Sequence, residues 1–417
     1  MTRSLRIAQV APPLERVPPP GYGGTERVID ALVTELVRRG HEVTTFASAD
    51  SVVAGRLIPT VDQALRPAGY QGDPSPWFYS TIRAVLEHAH EFDLVHSHLE
   101  WASPVLALAS PAPVLSTFHG RLDLPWAAEL LERTPGLIAI SRSQASTHPT
   151  VGWAGVVHNG LDLADAPFEE QRSDALVFVG RIAEEKGILD AITIARLTDR
   201  PLRIIAKRPV AAQEVEYFER AFLPALRAAG PLVEDLGELS GPERDRIVAR
   251  SHALLMPGMW PEPFGLAAIE ALACGTPVLT RRAGALPEIV RDGIDGFFGD
   301  DVEHLASLVD QVDRLDRAAI RESVLERFSA ARMTDDYEAL YRRTLARAAV
   351  QVADRAFRDA GRPPIAVGPG MPTGGIPPST GLLPPSAAVL DDGAVSPLLE
   401  TGELTARTEP LGGPGSN

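Results

Sequence analysis

The chain has 417 residues, of which 45% are apolar and 23% are charged, a balance that excludes a wholly disordered or fibrous protein. Its 55 acidic residues outnumber its 40 basic ones and give a net charge of −15, so nucleic acid and anionic lipid surfaces are not expected partners. The single cysteine, Cys274, excludes an intramolecular disulfide and a cysteine-based zinc site.

The amino-terminal residues, MTRSLRIAQVAPP, lack the apolar stretch of a secretory signal, and no run of about 18 apolar residues occurs in the sequence. We therefore expect a cytoplasmic protein with no stable membrane insertion. At roughly 150 residues per domain, the length favours two domains.

Short β-branched runs alternate with amphipathic stretches in the first part of the chain, which is the pattern of βα units on a parallel sheet. The first strand is predicted at Leu5 to Ala11. An apolar stripe predicts a helix from Thr25 to Arg39, ended by Gly40. Five further strands are predicted at 43–47, 94–97, 114–118, 137–140 and 156–158.

A polar, acidic segment from Leu161 to Asp174 is typical of a linker. Just before it, Asn159 and Gly160 form an Asn-Gly pair that can take left-handed backbone angles, although a plain turn explains it equally well. A second series of strands is predicted at 176–179, 202–206, 233–236, 253–256 and 277–279.

Together the two series of strands predict an α/β fold with two Rossmann-like, doubly wound parallel-sheet domains, residues 1–165 and 166–332, which face each other across a cleft. A last helix is expected at 333–350. From 351 to 417 the chain holds 11 Pro and 11 Gly, a composition that cannot bury enough apolar surface to offset its ordering entropy. We therefore predict a disordered tail at 351–417.

The loop after the first strand, PPPGYGGTE at residues 18–26, is rich in glycine and opens directly into the first helix. Glycines let the backbone approach a ligand, and a helix amino end favours an anion. The spacing does not match the dinucleotide fingerprint, because the third glycine would fall at Glu26. An NAD-dependent oxidoreductase is therefore disfavoured, whereas a flexible turn without a ligand remains an alternative.

Arg181 and Lys186 lie in VGRIAEEKG, immediately after the first strand of the second domain. In a strand-to-helix loop this spacing can aim a guanidinium and an ammonium at one diphosphate and oppose the charge that develops on a leaving group. Taken alone, the pattern fits better two solvated charges paired with Glu184 and Glu185.

The segment 258–275 carries two carboxylates near one helix start. Glu262 lies in a stiff Pro-Glu-Pro loop, and Glu270 lies further along on roughly the same side, while backbone amides at the helix start add hydrogen-bond donors. A carboxylate in a largely apolar helix needs a partner. Two hydroxyls of a ribose would satisfy Glu270, and so would an ion pair with Arg281 or Arg282.

These motifs together resemble one enzyme family. EPFGLAAIEALACGTPV looks like the E-x7-E signature of retaining, family 4-like GT-B glycosyltransferases that use nucleotide-sugar donors, and VGRIAEEKG looks like their G-R-x4-K-G donor loop. GGTERVIDALVTELVRRGHEVTTFAS, STFHG, AISRS and VHNGLD also fall in that family's order and spacing. The resemblance covers about residues 5–348 and implies a retaining hexosyltransferase with the GT-B fold.

The resemblance implies a role for each matching residue. Arg181 and Lys186 would hold the donor diphosphate, with Gly23 and Gly24 against it from the first domain. Glu270 would bind the nucleotide ribose.

The same resemblance implies which residues bind the donor sugar. Glu262 would hold its hydroxyls together with the backbone of Phe264, Gly265 and Leu266, and His119, at a strand end, would face it across the cleft. The catalytic groups implied are His119, Arg181, Lys186 and Glu262.

One position departs from the family's pattern: IIAKRPVAA stands where many members have a Gly-rich turn, so Lys207 is expected to reach the donor or its base. No Asp-x-Asp motif stands at a strand end, so no metal and no other cofactor is expected. His96 and His98 lack a third ligand nearby and are interpreted as structural or acceptor-side residues. In this family the last helices, here from Met333, usually cross back to the first domain.

The mechanism that the family implies is front-face displacement, in which the leaving phosphate helps to deprotonate the acceptor. Glu262 is then a donor ligand and not a nucleophile. Because no basic run marks a membrane-binding face, a soluble small molecule or a saccharide is the expected acceptor. The alternative is a non-catalytic GT-B scaffold that binds a nucleotide sugar or a protein partner, which the intact set of site residues disfavours.

Overall fold

The computed structural model describes residues 3–21, 23–124, 126–209, 212–239 and 241–360. The first half contains a seven-stranded sheet in the order β3-β2-β1-β4-β5-β6-β7, with every pair parallel. Its strands are β1 Arg6–Val10, β2 Glu42–Ser48, β3 Arg56–Val61, β4 Leu94–Ser97, β5 Val114–Phe118, β6 Leu137–Ala139 and β7 Gly155–Val156.

Helices accompany these strands because their apolar residues recur at helical spacing. They are α1 Gly24–Arg38, α2 Ser75–His88, α3 Ser103–Ala109, α4 Ala127–Glu132 and α5 Arg142–Ser146, with 3₁₀ turns at Ala89–Glu91 and Glu100–Ala102. In α1 the predicted stripe is fully buried at Ile29, Leu32 and Leu36, in one apolar cluster with Ile7 of β1.

The second half repeats the design with a six-stranded parallel sheet in the order β10-β9-β8-β11-β12-β13. Its strands are β8 Leu176–Arg181, β9 Leu202–Lys207, β10 Val233–Gly237, β11 Leu254–Met256, β12 Val278–Thr280 and β13 Gly296–Phe298. The predicted α/β fold of two Rossmann-like halves is confirmed.

The helices of the second half connect these strands. They are α6 Ile188–Thr198, α7 Ala212–Tyr217, α8 Leu223–Ala229, α9 Gly241–Ala249, α10 Leu266–Ala273, α11 Leu286–Ile289, α12 Val302–Leu308 and α13 Arg317–Arg327. Shorter turns are the 3₁₀ segments Glu184–Lys186, Gly230–Leu232 and Val309–Arg314 and the π turn Phe218–Phe222. Among the described residues, no helix combines the length and the apolar character that crossing a membrane requires.

The last helix, α14 Ala330–Ala360, packs against the first half. Arg39, which follows α1, donates to Asp335 Oδ1 at 2.6 Å and to Glu338 Oε2 at 3.0 Å. The predicted start of the tail at 351 falls inside this helix, because residues 330–360 contain no Pro or Gly and the first of the tail is Gly361. The rest of the predicted tail, 361–417, lies outside the described residues.

Among the elements that had no prediction of their own are β3, α2 and β13. β3 is an edge strand, half-exposed and interrupted by Pro59, so it lacks the alternation of a strand with one buried face. α2 buries only Thr81, Ile82 and Val85, which is too narrow a stripe to stand out from its exposed aromatic neighbours.

The prediction that Asn159 and Gly160 take left-handed backbone angles is wrong. Neither residue has a positive φ. A Cβ on Gly160 would lie 2.3 Å from the carbonyl oxygen of Ser329 and 2.8 Å from Cβ of Met333. Glycine is required there because the linker runs directly against the start of α14.

Candidate active site

A cleft of about 450 Å³ lies between the carboxyl ends of the two sheets, the position where open parallel sheets bind ligands. The loops after β1, β4 and β5 form one wall, and the loops after β8 and β11 with the start of α10 form the other. Every residue predicted for the site except Lys207 lines the cleft: Gly23, Gly24, His119, Arg181, Lys186, Glu262, Phe264, Gly265, Leu266 and Glu270.

Lys207, at the end of β9, is not among the residues that line the cleft. Its Nζ is 3.7 Å from Glu15 Oε1, and Glu15 belongs to the loop after β1. Lys207 therefore links β9 to the loop after β1, and its charge lowers the pKa of the cleft residue Glu26. Its contact with the donor remains a prediction.

Two glycines bring the predicted donor loops into backbone contact. A Cβ on Gly258 would lie 2.3 Å from the carbonyl oxygen of Glu185, and a Cβ on Gly187, which has a φ of 71°, would lie 2.6 Å from the Gly258 nitrogen. Any larger residue would separate these loops. The contact holds the loop that carries Lys186 against the loop that carries Glu262.

The two halves meet at the starts of α1 and α10. A Cβ on Gly24 would lie 2.9 Å from Leu266 Cδ1. Gly265, immediately before α10, has a φ of 107°, a left-handed conformation that favours glycine. Phe264 beside it is buried, so the turn into α10 is fixed both by packing and by backbone conformation.

Lys186 and Glu262 form an ion pair within the second wall. Lys186 Nζ lies 2.6 Å from Glu262 Oε2, and Trp260 Nε1 donates to the same oxygen at 3.0 Å. The ammonium also lies 5.0 Å from the centre of the Trp260 ring, close enough for a cation–π contact. Among the described residues, Glu262 Oε1 has no hydrogen-bond partner.

Arg181 lies beside this pair and is held by two carboxylates. It donates to Glu185 Oε1 at 2.8 Å and bonds Glu214 of α7. The alternative interpretation of Arg181 and Lys186 as surface charges paired with Glu184 and Glu185 is therefore partly right for Arg181. It is wrong for Lys186, which bonds Glu262 instead.

Glu270, in the second turn of α10, is paired with two guanidinium groups. Arg27 of α1 lies 2.5 Å and Arg244 of α9 lies 2.7 Å from Oε1. The predicted alternative partners are engaged elsewhere: Arg281 binds Asp190 and Arg282 binds Asp292. Glu270 Oε2 has no hydrogen-bond partner within the part of the chain described here.

His119 follows β5 on the opposite wall and is oriented by Glu100. Glu100 has a φ of 51°, a left-handed conformation that is uncommon for a residue with a side chain. Its Oε1 accepts a hydrogen bond from the His119 backbone nitrogen at 2.9 Å. Burial lowers the pKa of His119 to about 4, so its imidazole is neutral near pH 7.

Two carboxyl groups on the first wall were not predicted as site residues. Burial raises the pKa of Glu26 and of Glu100 from 4.5 to about 7, and each lines the cleft. Glu26 is only 5% exposed, and its carboxylate has no ion-pair partner among the described residues. In the sequence Glu26 was noticeable only as the residue that interrupts the glycine spacing.

His96 and His98 are fully buried beneath the first wall, with ring centres 4.2 Å apart. Both bond other side chains of the protein interior, which agrees with a structural role. Within the described ranges, no group of three or more His, Cys, Asp and Glu side chains has an arrangement that could hold a metal ion.

Comparison with known proteins matches both halves. Residues 22–165 match the model "Glycosyltransferase Family 4", and residues 164–323 match the model "Glycosyl transferases group 1". The glycogen synthase of Mycobacterium tuberculosis is 29% identical, over 83% of this chain and 94% of its own. The D-inositol 3-phosphate glycosyltransferase of Mycobacterium marinum is 29% identical, over 82% of this chain and 86% of its own.

Solved structures show the same two-sheet fold. AviGT4, a glycosyltransferase involved in avilamycin A biosynthesis, is 26% identical with a TM-score of 0.63, over 82% of this chain and 98% of its own. The two family models match adjoining parts of the sequence and together span 22–323, well over half of the chain. The chain therefore belongs to the family 4-like, group 1 glycosyltransferases, enzymes with the GT-B fold that use nucleotide-sugar donors.

Proposed function

We propose that the protein is a retaining, metal-independent glycosyltransferase that transfers a sugar from a nucleotide-diphosphate sugar to an acceptor hydroxyl in the cytoplasm. The observation that carries the proposal is the second wall of the cleft, where Arg181, Lys186 and Glu262 lie together beside the start of α10. Fixed cations next to a carboxylate and a helix amino end suit a diphosphate that is joined to a sugar.

The diphosphate binds Arg181 and Lys186 in this proposal, with the backbone of Gly23 and Gly24 approaching it from the first wall. The cations are already held in place by ion pairs with the protein, so little reorganisation is needed when charge develops on the leaving group. Because these side chains supply the positive charge, the reaction does not require a divalent metal.

The two carboxylates of the second wall have the same arrangement of occupied and available oxygens. In Glu262 one oxygen receives Lys186 and Trp260, and in Glu270 one oxygen receives two arginines. The other oxygen of each can accept hydrogen bonds from hydroxyl groups. We assign the available oxygen of Glu270 to the ribose and that of Glu262, with the amides of Phe264 to Leu266, to the donor sugar.

Retention is supported by the place of Glu262. Its ion pair with Lys186 puts it on the side of the leaving diphosphate, which suits a donor ligand and not a nucleophile on the opposite face of the sugar. The acceptor hydroxyl then attacks from the leaving-group side. Its oxygen forms the new bond to the anomeric carbon, and the departing phosphate oxygen receives the electron pair of the old bond and the proton of the hydroxyl.

A soluble small molecule or a saccharide is the proposed acceptor. Besides His119, which is assigned to the donor sugar, the first wall offers the carboxyl groups of Glu26 and Glu100 to the cleft. These groups form hydrogen bonds with hydroxyls, so the wall suits a polyhydroxylated acceptor.

The test is incubation of the purified protein with a panel of nucleotide sugars, with free nucleotide detected by mass spectrometry. We expect slow release from one donor and a loss of at least about 100-fold in K186A. The matched control is R83A, because Arg83 is a basic residue on the exposed face of α2 and is not among the residues that line the cleft. Unchanged turnover in a K186A protein with native circular dichroism would remove the assignment.

Two further readouts address the finer claims. Retention is checked by the anomeric proton signal of the first product in NMR, and metal independence by unchanged turnover in a chelator. Binding of a donor without release of nucleotide under any condition favours the non-catalytic scaffold.

A further inference from the structure

A chain of buried side chains leads from His119 in the cleft to α14. His119 Nε2 lies 2.9 Å from His98 Nδ1, and His98 Nε2 lies 3.0 Å from Gln9 Oε1. The Gln9 side-chain nitrogen donates to the hydroxyl of Tyr341 on α14 at 3.1 Å. Gln9, His98 and Tyr341 are completely buried, so the bonds among these three side chains are shielded from solvent.

The chain continues past Tyr341 to a second tyrosine. The Tyr341 hydroxyl lies 2.8 Å from His96 Nδ1, and His96 Nε2 lies 2.8 Å from Thr117 Oγ1. Thr117 Oγ1 in turn lies 3.0 Å from the Tyr337 hydroxyl. Tyr337 is thus the far end of the series, beyond His96 and away from the cleft.

Every histidine in this series is a neutral imidazole near pH 7. Burial lowers the pKa of His96 to about 3 and of His119 to about 4, and it lowers the pKa of His98 well below its usual value. A neutral imidazole has one N–H donor and one acceptor nitrogen. The hydrogen bonds on one nitrogen therefore decide what the other nitrogen presents.

The direction of each bond follows from the orientation of the Gln9 amide in the structure. Its nitrogen donates to Tyr341, so its oxygen accepts, and His98 Nε2 must carry a proton. His98 Nδ1 is then an acceptor, so His119 Nε2 donates to it. His119 Nδ1 is left without a proton, and among the described residues it has no hydrogen-bond partner.

We infer that Tyr341 is a positioning residue which, through Gln9 and His98, holds His119 in the tautomer whose Nδ1 accepts a hydrogen bond from a substrate hydroxyl. The inference rests on the proposed function, because a sugar or acceptor hydroxyl in the cleft is the donor of that bond. In the other tautomer Nδ1 carries a proton and donates instead of accepting. A substrate hydroxyl could then bond it only through its oxygen, with its own proton given to another acceptor.

A side chain of α14 thereby influences His119 in the cleft, although none of the described residues of α14 lines the cleft. The network also accounts for two histidines in the sequence segment HSH that the proposed chemistry leaves unused. His98 transmits the hydrogen-bond direction from Gln9 to His119, and His96 bonds the Tyr341 hydroxyl on its other side.

The test compares Tyr341→Phe with Tyr337→Phe. Both tyrosines are completely buried on α14, and each substitution removes one hydroxyl. Loss of the Tyr341 hydroxyl releases the Gln9 amide, which can then rotate and allow either tautomer of His98. Loss of the Tyr337 hydroxyl leaves the path from His119 to Tyr341 intact.

The readout is the ¹⁵N chemical shift of the two ring nitrogens of His119, assigned by the loss of its signals in His119→Gln. We expect an acceptor-type Nδ1 in the unmodified protein and in Y337F, and averaged shifts in Y341F. A protonated Nδ1 in the unmodified protein, or equal changes in the two variants, overturns the inference. The measurement on the unmodified protein remains decisive if a variant does not fold.

Kinetics give the second readout. We expect kcat/KM for the donor to fall about tenfold in Y341F, as for the loss of one hydrogen bond, and to change less than twofold in Y337F. The NMR experiment needs no substrate. Failure of the proposed function, with no donor accepted, is therefore distinguished from failure of the positioning role.

Discussion

Replacing Glu26 with glutamine removes a buried carboxyl group without changing its shape. Glu26 lies in the first turn of α1 and is 5% exposed. The nearby charge of Glu15 adds to the effect of burial, whereas Arg66 and Lys207 oppose it, and the net result is a pKa of about 7 in place of 4.5. The ionised form is thus disfavoured in the folded protein.

The shift gives both the sign and the size of the effect. Between pH 4.5 and 7 the folded protein binds more protons at Glu26 than the unfolded chain does, so stability falls as the pH rises through this window and is level above it. A shift of about 2.5 units corresponds to about 3 kcal/mol. We therefore expect the free energy of unfolding of E26Q to be higher than that of the unmodified protein, by about 1 kcal/mol at pH 5 and about 3 kcal/mol at pH 8.

The assay is thermal unfolding of both proteins at pH 5 and pH 8. A gain of about 3 kcal/mol raises the melting temperature by several degrees in a domain of this size. The control is Glu42→Gln, which removes a carboxyl group from an exposed position at the start of β2. An E26Q advantage that does not grow with pH, or that E42Q reproduces, refutes the reasoning.

Two further predictions concern the second wall of the cleft. G258A forces a Cβ to within 2.3 Å of the Glu185 carbonyl oxygen, so we expect the KM for the donor to rise at least about tenfold in steady-state assays. The control is G152A, whose Cβ meets nothing within 4 Å and which leaves the KM unchanged. Arg244→Met removes a guanidinium that holds Glu270, so we expect nucleotide binding by calorimetry to weaken about tenfold; an unchanged Kd contradicts this orienting role.

The residues of the second wall could be predicted from the sequence because they lie in two short segments. Arg181 and Lys186 follow one strand, and Glu262 and Glu270 flank one helix start, so local chain geometry brings each pair together. What the spacing could not provide was the partner of each charge. The pairing of Lys186 with Glu262 joins loops that are far apart in sequence, and the contact depends on Gly258.

The functional groups of the first wall were harder to predict from the sequence, because their pKa values depend on burial. Nothing in the local sequence distinguishes Glu26 or Glu100 from a solvated carboxylate on a helix or turn. Their pKa values rise because burial in the folded protein removes water from the two carboxyl groups. Lys207 also has a partner that no local pattern provides, because its ion pair with Glu15 joins β9 to the loop after β1.

The sequence by itself predicted two parallel sheets with helices between their strands and the segments that form the second wall of the cleft, since strand runs, helical stripes and turn glycines are patterns within a few residues of one another. Only the tertiary structure decided that Arg27 bonds Glu270 and that Tyr341 is linked to His119. These contacts join residues from different halves of the chain. They depend on how the two sheets and α14 pack, which no local pattern encodes.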